Sequence, residues 1–327
     1  MPFTLQTRRG FLGLSLPGIG LAWAARAQQA YGPGASDTEI RIGQTMAYSG
    51  PLSAYGALGK VEAAYFRKIN DQGGVRGRKI NFISLDDGYN PAKTVEGVRR
   101  LVEQDEVLLL AGSLGTPTNL AVKAYLHARG VPLLFLSTGG SMWNNPQVEP
   151  WVMGWAPNYF SEGRIYAQHI LATKPNARIA VLYQNDDTGK DYLSGFKDGL
   201  ADKAKGLIST IYLKDVTDPQ LADDPAVKEW VAFMKEYYPS GNLLNSVNAT
   251  GHSMAQTVVQ VLMQCGDNLS RENVMRQAAS LRDLELGLLM PGVKINTSPS
   301  DHAPIESLRM RRFDGKQWIA FGDVMGR

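Results

Sequence analysis

One cysteine, Cys265, stands in 327 residues. That excludes an intrachain disulfide and any metal site built from paired thiolates. Cys265 reads as a small buried hydrophobe near a helix end. Histidine is scarce too: His127, His169, His252 and His302 are the full set, and none has metal-ligand spacing. No G-x-S-x-G nucleophile elbow occurs. No glycine-rich turn leads to a P-loop lysine, and no dinucleotide fingerprint is present. The sequence therefore offers no catalytic residue, no metal ligand and no cofactor. No Lys/Arg cluster stands out, so nucleic acid is not an expected partner. Beyond the first 27 residues no long apolar run appears.

Those first residues carry most of the charge imbalance. Of the 34 basic residues, Arg8, Arg9 and Arg26 fall within positions 1–27, which hold no acid. The remaining 31 balance the 31 acidic residues, so the basic character belongs to the start of the chain. The apolar stretch Phe11–Trp23 follows the paired arginines, and Ala25-Arg26-Ala27 closes it. This is the layout of an export signal cut after Ala27. The run Thr7-Arg8-Arg9-Gly10-Phe11-Leu12 has the look of the twin-arginine type, which implies a periplasmic protein. A membrane anchor fits less well. The stretch is shorter than the ~20 apolar residues of a span, and Pro17, Gly18 and Gly20 interrupt it. Residues 28–37, rich in Gly and Pro, read as a flexible leader.

From Ile40 the pattern alternates. Ile40–Gln44, Lys79–Leu85, Val107–Ala111 and Val131–Leu136 read as strands, with helices between them at Val61–Ile69, Pro91–Val102 and Asn119–Arg129. The unbroken apolar run Val107–Ala111 fits a parallel strand covered on both faces. Such alternation predicts a parallel sheet flanked by helices. A second unit starts near Ala156. It has helices over Ser161–Ala172 and Asp191–Lys203, strands over Ala177–Tyr183 and Ile208–Leu213, and a terminal hairpin around Asp314-Gly315. Helices over Pro225–Tyr238, Ser253–Gln264 and Arg271–Ser280 complete the chain. At about 300 residues without the signal, two domains are expected.

In open α/β sheets ligands bind beyond the carboxyl ends of the strands. Three loops meet there: Ser49–Tyr55, Gly112–Thr118 and Ser137–Ser141. Each offers hydroxyls and glycine-exposed N–H groups beside a helix start, a chemistry suited to a small carboxylate. The acidic pairs Asp86-Asp87 and Asp186-Asp187 sit at strand ends and read as solvated loop carboxylates, with one Asp of the second pair available to a ligand ammonium.

The ordered set SGPLSAYG, INDQGGVRGRKI, AGSLGTPTN, VPLLFLSTGG and QNDDTGKDYLSGFKDGL resembles the periplasmic branched-chain amino acid-binding proteins of ABC transporters. YLKDVTDP, MPGVKINTSP and RRFDGKQW extend the likeness to nearly all of residues 38–327. The resemblance implies an α/β fold of the type I periplasmic binding protein kind. It has two lobes of parallel sheet flanked by helices, joined by three crossings, with the ligand trapped between. Lobe 1 is expected over 38–155 plus 214–289, and lobe 2 over 156–213 plus 290–327. Carried over by position, Tyr55 packs on the ligand. Ser113, Gly115 and Thr116 meet its carboxylate, and Thr138, Gly139 and Ser141 hold carboxylate and ammonium. Thr188, Thr250 and His252 stand where the family often has aromatic rings. The family pattern also has roughly 60 more residues after Lys203, a segment that usually supplies the acid facing the ammonium; without it the second lobe is short of cover.

The implied function is an extracytoplasmic solute-binding protein of an ABC importer, taking a small amino acid or carboxylate. Its partners are that ligand and a permease, with the membrane reached only through the permease. The alternatives are a ligand-sensing subunit, a non-binding remnant and, on weaker grounds, an enzyme on a doubly wound sheet.

Overall fold

A computed structural model describes residues 31–174, 187–200, 209–216, 221–243, 247–313 and 318–326, with residues 179, 181, 218 and 245 between them. The export signal, most of the strand expected over 177–183, the junction at 203–206 and the turn at Asp314-Gly315 lie outside these residues.

Five parallel strands form the main sheet in the order β2-β1-β3-β4-β5. They are β1 (Glu39–Met46), β2 (Lys79–Asp86), β3 (Leu109–Ala111), β4 (Leu133–Leu136) and β5 (Val152–Gly154). The central strands β3 and β4 are buried along their whole length, as their apolar runs require. Three-residue β5 was not expected; too short to show a period, it is defined by its pairing with β4. Helices α1 (Ala57–Asp71), α2 (Pro91–Glu103) and α3 (Thr116–Ala128) are the crossovers. Asn90 starts α2 by accepting from Ala92 N and Lys93 N, with Pro91 in the first turn. Further along, α6 (Pro225–Tyr237), α7 (Val247–Cys265) and α8 (Arg271–Ala278) enlarge the same core. Gly251 lets α7 sit on α1: a Cβ there would stand 2.5 Å from Val61.

The second body holds α4 (Tyr159–Thr173), α5 (Asp187–Leu200) and a sheet of β6 (Ser209–Ile211), β7 (Ser307–Phe313) and β8 (Trp318–Gly326) in sequential order. The parallel expectation holds for the five-stranded sheet only. β6, β7 and β8 are antiparallel, because a hairpin joins β7 to β8 and a directly connected pair runs no other way. The core that the described residues of this body form is small: Ile165, Leu308 and Met310, with Tyr212, Phe321 and Met325 packed around them. Close helix contact compensates. A Cβ on Gly195 of α5 would stand 1.9 Å from the Phe160 carbonyl of α4, and one on Gly163 would stand 2.4 Å from the Tyr192 carbonyl.

Two sequence expectations need correction. Residues 31–36 of the leader are docked, not free. Tyr31 bridges Leu269, Arg41 N donates to Gly34 O at 2.7 Å, and Gly34 (φ +77°) presses on the backbone of Leu108. The Arg78 guanidinium lies 5.5 Å over the Tyr31 ring. Residues 290–305, expected with the second body, pack into the large core through Met290, Val293, Ile295 and Ile305. The chain re-enters the small core at Leu308.

The glycine contact yields a paired prediction. Gly195→Ala should destabilise by about 1–3 kcal/mol, since the added methyl overpacks the α4–α5 contact. Gly97→Ala in α2, whose new Cβ meets nothing closer than 3.4 Å, should be neutral or stabilising by up to about 1 kcal/mol. Urea unfolding of both variants measures the contrast.

Candidate functional site

The loops at the carboxyl ends of β1, β3 and β4 do converge, and their interiors are tightly cross-braced. Tyr48 N and Ser49 N donate to Asp86 Oδ1 at 2.9 and 3.1 Å, and hydrogen bonding led by Ser49 holds Asp86 below the usual carboxylate range. Asp87 is buried rather than solvated. It accepts from Thr94 Oγ1 at 2.8 Å and Tyr89 N at 2.9 Å, and burial raises its pKa. The pair is loop scaffolding. Below it, Gln44 Nε2 donates to the buried Glu62, whose pKa burial pushes well up.

Several residues expected on the ligand serve this bracing. Ser113 is wholly buried, and its Oγ accepts from Thr45 N at 3.2 Å across β1 and β3. Gly115 (φ +92°) makes room for the Tyr89 ring, which a Cβ would meet at 2.3 Å. Asn119 Nδ2 donates to Ser113 O and Gly115 O, at 3.2 and 2.6 Å, and so fixes the turn from within α3. The Thr116 and Thr138 hydroxyls bond each other at 2.5 Å. Gly139 lies beneath the first crossing, where its carbonyl accepts from Tyr159 N at 2.7 Å. Ser141 is engaged across the gap between bodies: its N–H and hydroxyl donate to the Asp191 carboxylate of α5 at 2.8 and 2.6 Å.

A cavity of about 280 Å³ opens where these loops face the second body. Tyr55, Thr138 and Thr250 line it; Tyr55 is 44% exposed. Thr188 is not among the lining residues. His252 turns into the large core instead, its ring 4.9 Å from Tyr65 and 4.6 Å from Phe233, and burial drives its pKa down to about 3.

Aromatic walls come from positions the sequence reading missed: Trp155, Tyr159, Tyr192 and Tyr212. Tyr159 and Tyr192 stack at 4.5 Å and 22°, and Trp155 meets Tyr212 edge-on at 5.9 Å while donating to Thr257 Oγ1 at 3.1 Å. Glu162, also missed, lines the cavity. It accepts from Tyr192 Oη on Oε2 at 2.5 Å, and from Thr210 Oγ1, at 2.9 Å, and Tyr166 Oη on Oε1. Burial raises the pKa values of Tyr159, Tyr192 and Tyr212, so these phenols stay protonated. A sequence signal did exist: Tyr159, Glu162 and Tyr166 fall at helical spacing on one face of α4.

The cavity also borders the chain crossings. One is Trp155–Pro157. Beside it, residues 212–214 run antiparallel to 288–290, with Met290 N donating to Tyr212 O at 2.8 Å and Lys214 N to Leu288 O at 2.7 Å. A larger cavity, about 790 Å³, lies on the other face of α4, lined by Arg164, Gln168 and the Ser298–Ala303 loop. Among the described residues no cluster of three or more His, Cys, Asp or Glu forms a metal site, and no helix is long and apolar enough to cross a membrane.

Two α/β bodies, chain crossings and a cavity at the strand ends define a solute-binding fold. A profile of the family described as periplasmic binding protein matches residues 39–220, and the chain belongs to that family. It is 24% identical over 310 residues to the leucine-specific-binding protein of Salmonella typhimurium, covering 89% of this chain and 78% of that one. Among solved structures it resembles a branched-chain amino acid ABC transporter protein from Thermus thermophilus with bound valine. The TM-score is 0.77 at 16% identity, with 90% and 98% of the two chains covered. It also resembles a solute-binding protein from R. palustris in complex with 4-hydroxybenzoate, with TM-score 0.70, 15% identity and coverage of 88% and 97%.

His252 gives a pH prediction. Its folded pKa, about 3, lies below the ordinary 6.5, so its contribution is full above pH 6.5 and is lost as the pH falls toward 3. Between pH 7 and pH 5 this amounts to about 2 kcal/mol. Urea unfolding at the two pH values should show a His252→Phe variant less acid-sensitive than wild type by that amount.

Proposed function

We propose that this chain is the solute-capturing component of an ABC importer, working in the periplasm and closing its two bodies on a small amino-bearing solute. The observation that carries the reading is Glu162 in an aromatic cavity at the strand ends. Glu162 takes the place of the ammonium-facing acid that the sequence lacked after Lys203. Tyr55, Thr138 and Thr250 contact the solute, with Thr116 supporting Thr138. Lobe 1 then comprises residues 38–155 and 214–305, and lobe 2 residues 156–213 and 306–327. The Salmonella relative is named for leucine and the Thermus neighbour holds valine, which supports an amino acid as the solute. The chain does no chemistry on it. Export by the twin-arginine route and delivery to a permease complete the proposal.

Thermal unfolding of residues 28–327 with a panel of amino acids and small carboxylates tests this. A ligand at 100 times its Kd stabilises the native state by about 2.7 kcal/mol, which reads as a rise of several degrees. Glu162→Gln keeps an acceptor for the tyrosines and removes the charge, so it should weaken binding about tenfold or more. A cooperative melt that no panel member moves would overturn the reading. A melt without cooperativity would instead mark a non-binding remnant.

A further inference from the structure

The cavity is built for a positive charge more than for a carboxylate. Among its described lining residues Glu162 is the one that carries a charge, and no Lys, Arg or His lines it. Of the loop donors suited to an anion, those of Ser141 are engaged. Ser141 N–H and Oγ form a two-point clamp on a carboxylate, and that carboxylate is Asp191 of the protein itself. Thr116 and Thr138 hydroxyls bond each other. The Ser141 donors of the Ser137–Ser141 loop are thus satisfied internally by α5. What remains open is the opposite chemistry. Each carboxylate oxygen accepts two hydrogen bonds; Oε1 of Glu162 takes Tyr166 and Thr210, whereas Oε2 takes Tyr192. Among the described residues Oε2 has one donor, which leaves an acceptor direction for an N–H donor. Five aromatic residues, Tyr55, Trp155, Tyr159, Tyr192 and Tyr212, surround it. Ring faces attract cations, most strongly where water is excluded.

Resting on the reading of this cavity as the solute site, we infer that its ligand is a small organic ammonium, selected through Glu162 and the aromatic walls, for which a carboxylate is dispensable. Asp191 is the specificity-determining residue that keeps carboxylates off the loop after β4, by filling the Ser141 clamp.

Calorimetry on residues 28–327 tests this with two ligand series. Leucine is compared with isopentylamine and isocaproate, and phenylalanine with phenethylamine and phenylpropionate. In at least one series the amine should bind about tenfold or more tighter than the acid, with the amino acid no tighter than the amine. A charge-assisted hydrogen bond sets that scale. Glu162→Gln should erase the advantage of the amine. Asp191→Ala, which frees the clamp and removes a negative charge, should raise affinity for the acid and the amino acid about tenfold and give the amine no gain. An acid that outbinds its amine in the unmutated protein would overturn this inference and leave the solute-binding reading intact. So would an Asp191→Ala protein that folds and gains nothing toward acids. Binding of no member of either series overturns the inference, and the wider thermal panel then decides the reading beneath it.

Discussion

The carboxylate of Glu162 is the point on which the second body and the cavity both depend. A half-buried charge is tolerated only with hydrogen bonds to stabilise it, and here the donors come from Tyr166 on α4, Tyr192 on α5 and Thr210 on β6. One side chain therefore fixes three elements relative to one another. It also faces the cavity, so the group that holds the body together sets the electrostatics of the site. Such a network is cooperative: a change that displaces Tyr192 affects the packing of α5 and the charge that a ligand meets.

That arrangement matters because the rest of the body offers little apolar burial. Ile165, Leu308 and Met310 form its buried cluster, whereas the large core joins the five-stranded sheet to α1, α6, α7 and α8. Gly163 and Gly195 bring the α4 and α5 backbones together, so dispersion contacts over short distances supplement a small hydrophobic term. The stacked rings of Tyr159 and Tyr192 lie on the same seam. Polar convergence, glycine contact and ring stacking act together where a wider sheet would otherwise supply the cover.

The two bodies meet through a few well-defined contacts. Asp191 reaches Ser141, Trp155 packs between Tyr212 and Thr257, and residues 212–214 run beside 288–290. Backbone pairing at the crossings fixes where the chain bends. This is the geometry from which hinge closure is built.

The sequence by itself determined the parallel sheet and its order of strands and helices, because buried parallel strands must be apolar throughout and amphipathic helices must repeat near 3.6 residues. The apolar run Val107–Ala111 and Pro91 at a helix start made those elements plain. Ordered motifs likewise identified a solute binder. Three features were legible only in part: the docking of residues 31–36, the antiparallel second sheet and the return of residues 290–305 to the large core. Each rests on contacts between residues far apart in the chain. The site divided the same way. Loop chemistry at Ser113, Thr116, Thr138 and Ser141 was visible in the sequence, but which hydroxyls face a ligand and which brace the loops was not. Tyr159, Glu162, Tyr192 and Tyr212 look like ordinary helix and strand residues until α4, α5 and β6 come together. Periodicity records which face of an element is apolar; only tertiary packing decides which polar groups on that face find partners, and so which charge the cavity presents.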